Sequence, residues 1–173
     1  MSLSDDFLRL AEQLVRSNSS SKSPPQIDLR RAVSSAYYAV FHEFCLLFAE
    51  QFVCDGKKLT RAWLQTYRSL EHQQLKKRLL EIRQFSKLKD KQKKQRESKN
   101  ADLNFPPALA DLADIFAKLQ DSRHEADYNP QSKFDRKETI LSIESARGCI
   151  EKIRHLCGDG KSALAVFIGI KKR

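Results

Sequence analysis

Residues 29–44 read LRRAVSSAYYAVFHEF, and the run continues as CLLFAEQF to Phe52. Two apolar stripes recur through it at the 3.6-residue period of an α-helix. Val33, Ala36, Val40, Phe44 and Leu47 form one; Tyr38, Phe41, Cys45, Phe48 and Phe52 form the other. A helix this apolar belongs at the centre of a bundle or is shared with a second subunit. A small bundle covers one wide stripe more readily than two, so the pattern predicts a homodimer. The helix has a clear start: Ser23 caps, proline follows, and Gln26 completes a capping box.

Working outward, the same period predicts an all-α, up-and-down bundle of about five helices. The first runs from about Ser4 to Arg16, with Phe7, Leu10, Ala11 and Leu14 on one face. The third starts near Thr60 and carries Trp63, Tyr67, Leu70, Leu75, Leu79 and Ile82. The fourth opens at Asn104 to Pro107 and stops near Tyr128, because Asn129 precedes Pro130. The fifth begins at Asp135, where Asp135 and Glu138 form a second capping box. Its stripe is Ile140, Ile143, Ala146, Ile150, Ile153 and Cys157, and Gly158 ends it. Ser162 to Ile170 reads equally well as a strand, a helical turn or a packed tail. The expected organisation is a bundle over 1–160, with a basic loop or helix extension at 84–103 and a tail at 161–173.

Composition narrows the class. The chain has 173 residues, 40% hydrophobic and 31% charged, which suits one domain with a real core. Five glycines and five prolines are too few turns for a sandwich or barrel of short strands. The nearly apolar run from Ala36 to Ala49, interrupted by His42 and Glu43, is too short and too polar for a membrane span. The opening MSLSDDF carries acids where a signal peptide carries positive charge, which predicts a cytoplasmic protein. Cys45, Cys54, Cys149 and Cys157 lack zinc-ligand spacing, and buried reduced thiols are the expectation. With no HExxH pair, GxxxxGK[ST] loop or GxGxxG turn, neither a metal nor a cofactor is expected.

Charge is unevenly spread. Lys and Arg number 32 against 22 Asp and Glu, for a net +10. Residues 76–99, KKRLLEIRQFSKLKDKQKKQRESK, hold 11 basic and 3 acidic side chains, or +8 of that excess. This segment, opened by Lys76, Lys77 and Arg78, suits attraction of RNA by counterion release, or of an acidic protein partner. Phe85 is its one aromatic residue, so any binding there reads little sequence. Arg68 and His72, four apart on the predicted third helix, are further candidates for a phosphate contact.

The fourth helix carries the sharpest signal. Leu109, Leu112, Phe116 and Leu119 step along a core-facing seam, and the next positions in that rhythm are Arg123 and Ala126. A guanidinium on an apolar seam needs a carboxylate partner, a route to the helix end, or a polar cleft. Asp127, at i+4, is the nearest partner, with His124 and Tyr128 alongside.

LRRAVSSAYYAVFHEF followed by LQDSRHEADYNP (residues 119–130) resembles the HEPN (higher eukaryotes and prokaryotes nucleotide-binding) family. The resemblance is to its small prokaryotic branch with an AYYA-FH helix and an R-x-x-ADY helix end, and it spans roughly residues 5–157. It implies a dimerising all-α bundle that brings two arginine motifs into one cleft. It also implies RNA or nucleotide as ligand, with metal-independent endoribonuclease activity in a toxin–antitoxin or defence system. An antitoxin-like protein partner comes with that. Other members are catalytically inactive modules that bind a nucleotide or a partner protein. Arg123 matches the family's motif arginine and His124 its polar neighbour. Tyr128, Asn129 and Pro130 stand where its downstream histidine would lie, which leaves proton transfer to His124, His42 or Tyr128. Tyr38 and Asp127 complete the candidate binding set.

Overall fold

A computed structural model describes residues 2–16, 24–53, 60–86 and 108–169. Among them there are seven helices and no strand. They are α1 (Leu3–Arg16), α2 (Gln26–Phe52), α3 (Arg61–Tyr67), α4 (His72–Ser86), α5 (Ala108–Tyr128), α6 (Arg136–Arg154) and α7 (Gly158–Gly169). The chain forms two compact units. One comprises Met1–Phe44 and Ile115–Arg154, the other Cys45–Asp114 and His155–Arg173.

In the first unit α1 packs against α6. Leu8, Ala11 and Val15 of α1 are buried, as are Ile143, Ala146, Cys149, Ile150 and Ile153 of α6. The face of α1 therefore differs from the expected one: Leu10 is exposed, and Leu8 and Val15 take the inner positions. Both stripes are apolar enough to compete on a short helix, and the fit against α6 selects one. Ile140 and Cys157, expected on the inner stripe of α6, are likewise exposed. Tyr37 and Phe44 of α2 meet Phe116 of α5, with ring centroids 5.5 and 5.6 Å apart. Asp135 Oδ1 accepts a hydrogen bond from the Glu138 N–H at 2.9 Å, so α6 starts with the expected cap.

The second unit corrects the expected third helix, which is broken. The α3 helix starts where predicted, with Thr60 Oγ1 accepting from Trp63 N–H. It stops at Arg68, where the Ser69 hydroxyl donates to the Thr66 carbonyl at 2.7 Å and satisfies a group the next turn would have used. Arg68 closes α3 and His72 opens α4, so the two do not share one helical face. The α4 helix buries Leu75, Leu79 and Ile82 and packs on α7. Residues 161–169 thus belong to a helix rather than a tail, with Leu164, Ala165, Phe167 and Ile168 buried.

Both apolar stripes of α2 are buried in a single chain apart from exposed Phe52 and half-buried Tyr38. Apolarity alone therefore does not call for a second copy. At 27 residues, α2 is also long and apolar enough by composition to cross a membrane, contrary to the shorter run read from sequence, but 78% of its most apolar window is buried within the protein. Ser23, with the capping box expected of it, Cys54 and residues 87–103 lie outside the described residues, and the Gln26 side chain bonds the Phe134 backbone in the loop after α5.

Cys45 and Cys149 are buried, and burial pushes both thiols up to about 12. A buried thiol at that value holds almost no thiolate at neutral pH. An alkylating reagent applied to the folded protein at pH 7.5, about one unit below the reference value of a free thiol, is expected to mark exposed Cys157 and spare both. Peptide mass spectrometry checks this, and Cys149 labelled as fast as Cys157 would contradict the packing of α6.

Candidate functional site

Three helices of the first unit converge on one partly exposed cluster. The α2 helix supplies Ser34, Tyr38 and His42, four residues apart and hence on one face. The last two turns of α5 supply Arg123, Asp127 and Tyr128, and α1 supplies Phe7. The end of α5 is held in place by α2. Arg30 donates to the Asn129 and Ser132 carbonyls at 2.8 and 3.0 Å, while the Gln26 amide exchanges two hydrogen bonds with the Phe134 backbone. These bonds tie the loop that follows α5 to the first turns of α2.

Arg123 is the hub. Its Nε lies 2.7 Å from Asp127 Oδ2, the i+4 partner the sequence offered. Its Nη2 donates to the Tyr38 hydroxyl at 2.7 Å, with the Tyr128 hydroxyl at 3.4 Å. The guanidinium carbon sits 5.4 Å from the Tyr38 ring centre and 5.2 Å from that of Tyr128, so the cation contacts both rings. Asp127 is itself fixed, because Ser34 Oγ donates to Oδ1 at 2.8 Å. Burial is the largest influence on Arg123 and works against its charge. The Tyr38 hydroxyl and the Asp127 carboxylate outweigh it, and the group is held above the ordinary arginine range. Arg123 keeps 20% of its side chain exposed, so the seam delivers a permanent cation to a polar opening.

The other candidates divide. His42 stacks flat on Phe7, with centroids 5.2 Å apart and planes 2° apart, and lies 6.3 Å from the Tyr38 ring. It joins the cluster. His124 is exposed, with its ring 5.1 Å from that of Tyr128, and it lines a shallow cavity of about 560 Å³ with Asp121, Glu125, Ser132 and Phe134. Glu125 there is held below the usual carboxylate range by hydrogen bonds from Ser132 and Asn129. Arg68, His72, Lys76, Lys77 and Arg78 belong to the second unit, whereas the Arg123 cluster belongs to the first. Arg78 is buried, 3.0 Å from Glu81 and 4.9 Å from the Phe167 ring centre. Lys77 is exposed on α4.

Sequence reasoning missed Phe7, Ser34, Gln26 and Arg30. Ser34 left a trace, a small polar residue inside an apolar helix, four positions before Tyr38. Phe7 left none, because a ring on an amphipathic helix reads as core. Among the described residues no three His, Cys, Asp or Glu side chains gather as a metal-ligand set. No family model, curated protein or solved structure matches the chain.

Proposed function

We propose that this chain is a HEPN-like RNA- or nucleotide-binding protein that cleaves RNA without metal at Arg123. The observation that carries the reading is the charged fork of Arg123, braced by Asp127 and Tyr38 and open to solvent along part of its length. Cleavage starts with attack of a ribose 2′-OH on the neighbouring phosphorus. Arg123 faces the charge that develops on the phosphorane oxygens. His124 accepts the 2′-OH proton, and the Tyr128 hydroxyl donates to the departing 5′-oxygen. The guanidinium beside Tyr128 stabilises the phenolate left behind, and His124 then returns its proton. The products are a 2′,3′-cyclic phosphate and a 5′-hydroxyl. RNA incubated with the protein in EDTA tests this. End-group analysis should find those termini, and equal cleavage by an Arg123→Ala variant would remove the assignment.

Tyr128 in place of a motif histidine favours a second reading, a non-cleaving module that uses the same cation to hold a nucleotide or partner protein. In that case Arg123→Ala lowers binding while the parent protein cuts nothing. In either reading the protein acts in the cytoplasm as a homodimer that pairs two Arg123 clusters, within a toxin–antitoxin or defence system. An acidic, antitoxin-like partner suits the +8 segment. Sedimentation at micromolar concentration should return twice the 20.0 kDa chain mass, and a stable monomer would end the dimer proposal.

A further inference from the structure

We infer that His42, Phe7, Tyr38, Arg123 and Tyr128 form a stacking track for a short run of unpaired nucleotides. The inference rests on the RNA-binding reading and names the form of nucleic acid taken. Successive planar groups lie close together. His42 to Phe7 is 5.2 Å, Phe7 to Tyr38 is 5.8 Å, and the Arg123 carbon lies 5.4 Å from Tyr38 and 5.2 Å from Tyr128. These groups come from α1, α2 and α5, so the row is a tertiary product rather than a helical stripe. Phe7, Tyr38, His42 and Arg123 are half-buried, and Tyr128 is 63% exposed. A bundle core has no need of an aromatic row that opens to water, nor of a cation set within it.

The chemistry fits a single strand. Every base offers a π-face, so aromatic stacking tolerates any sequence, and a cation within the row meets the backbone phosphate between stacked bases. A duplex keeps its bases stacked on one another and offers such a track only phosphates and edges. Stacking reads the face of a base and not its edge, so the track selects unpaired strands over paired ones and not one base over another.

Fluorescence anisotropy with a labelled hexauridylate, against an RNA duplex of equal charge, both 2′-O-methylated so that the protein cannot cut them, tests the track in the full-length protein. Phe7→Leu and Tyr128→Leu keep apolar bulk while removing one stacking ring each. Each is expected to weaken single-strand binding by about ten-fold, within the range of one base–aromatic stack, and to leave duplex binding unchanged. Phe7→Tyr, which keeps the ring, should retain parent affinity, and that result separates stacking from packing. Circular dichroism melting confirms that each variant is folded. If Arg123→Ala lowers single-strand binding while Phe7→Leu and Tyr128→Leu do not, the track is wrong and the RNA-binding reading stands. If the parent protein binds neither probe, the reading itself fails and the track falls with it.

Discussion

Replacing Arg123 with alanine is expected to lower the rate of RNA cleavage in EDTA by about 10²–10³-fold, the usual cost of one preorganised donor at a developing negative charge. The size follows from how the side chain is held. Asp127 Oδ2 lies 2.7 Å from Nε as an ion pair and the Tyr38 hydroxyl accepts from Nη2, so the guanidinium is held from two sides before a phosphate arrives. Preorganisation of this kind lowers the barrier because nothing has to reorient as charge appears. Lysine is a poor replacement. Its ammonium is a compact point charge that cannot bond Asp127 and Tyr38 in the same fork while facing a phosphate, so Arg123→Lys should recover only a small part of the lost rate. Asp127 and Ser34 act as positioning residues through Arg123. Asp127→Asn should lower the turnover rate more than it raises KM, whereas a group that merely binds substrate would do the reverse. A cleavage rate within two-fold of the parent in Arg123→Ala (about 0.4 kcal/mol) would remove Arg123 from the chemistry.

The largest expected stability effect lies in the same unit, at Glu43. Glu43, on the central helix, has only 6% of its side chain exposed, and Arg154 of α6 holds both its oxygens at 2.9 and 2.8 Å. Arg154 Nη2 also reaches Asp5 Oδ1 at 2.9 Å and Ser2 Oγ at 3.1 Å, which ties the start of α1 to the pair. Arg154→Ala leaves a carboxylate desolvated with its main partner gone, a change that costs roughly 3 kcal/mol. For a chain of this length the midpoint of thermal unfolding should fall by about 6–12 °C. Glu43→Gln in the same background should restore part of the loss, because an amide tolerates the site without a counter-charge. A fall of less than ~1 kcal/mol, the range of an exposed ion pair, would contradict the buried geometry.

The same network sets an acid response. Burial is the largest influence on Asp5 and pulls its pKa up, but hydrogen bonds from Ser2 and Arg154 outweigh it and hold the carboxyl below its ordinary 3.8. The unfolded chain therefore binds this proton at a higher pH than the folded one. The contribution of Asp5 is complete above 3.8 and is lost as the pH falls through the lowered folded value. Urea midpoints measured between neutral pH and acid should drop less steeply in Arg154→Ala than in the parent, since part of that acid-sensitive stabilisation is already missing.

The amino-acid sequence by itself determined the class of structure and the most unusual residue in it. The 3.6-residue rhythm makes helices of 26–52 and 108–128, and the same rhythm marks Arg123 as a charge on an apolar seam with Asp127 one turn away. Both are local facts, fixed by spacing along one helix. Packing decided what spacing leaves open. Whether Leu8 or Leu10 of α1 turns inward depends on α6. Whether α2 needs a second chain depends on how much of it the rest of this chain covers. The aromatic row beside Arg123 is the clearest case. Arg123 and Tyr128 meet within α5, but Phe7 and Tyr38 stand far from them in the chain, and only the docking of helices brings the Phe7 ring 5.8 Å from that of Tyr38 and the Tyr38 ring 5.4 Å from the guanidinium.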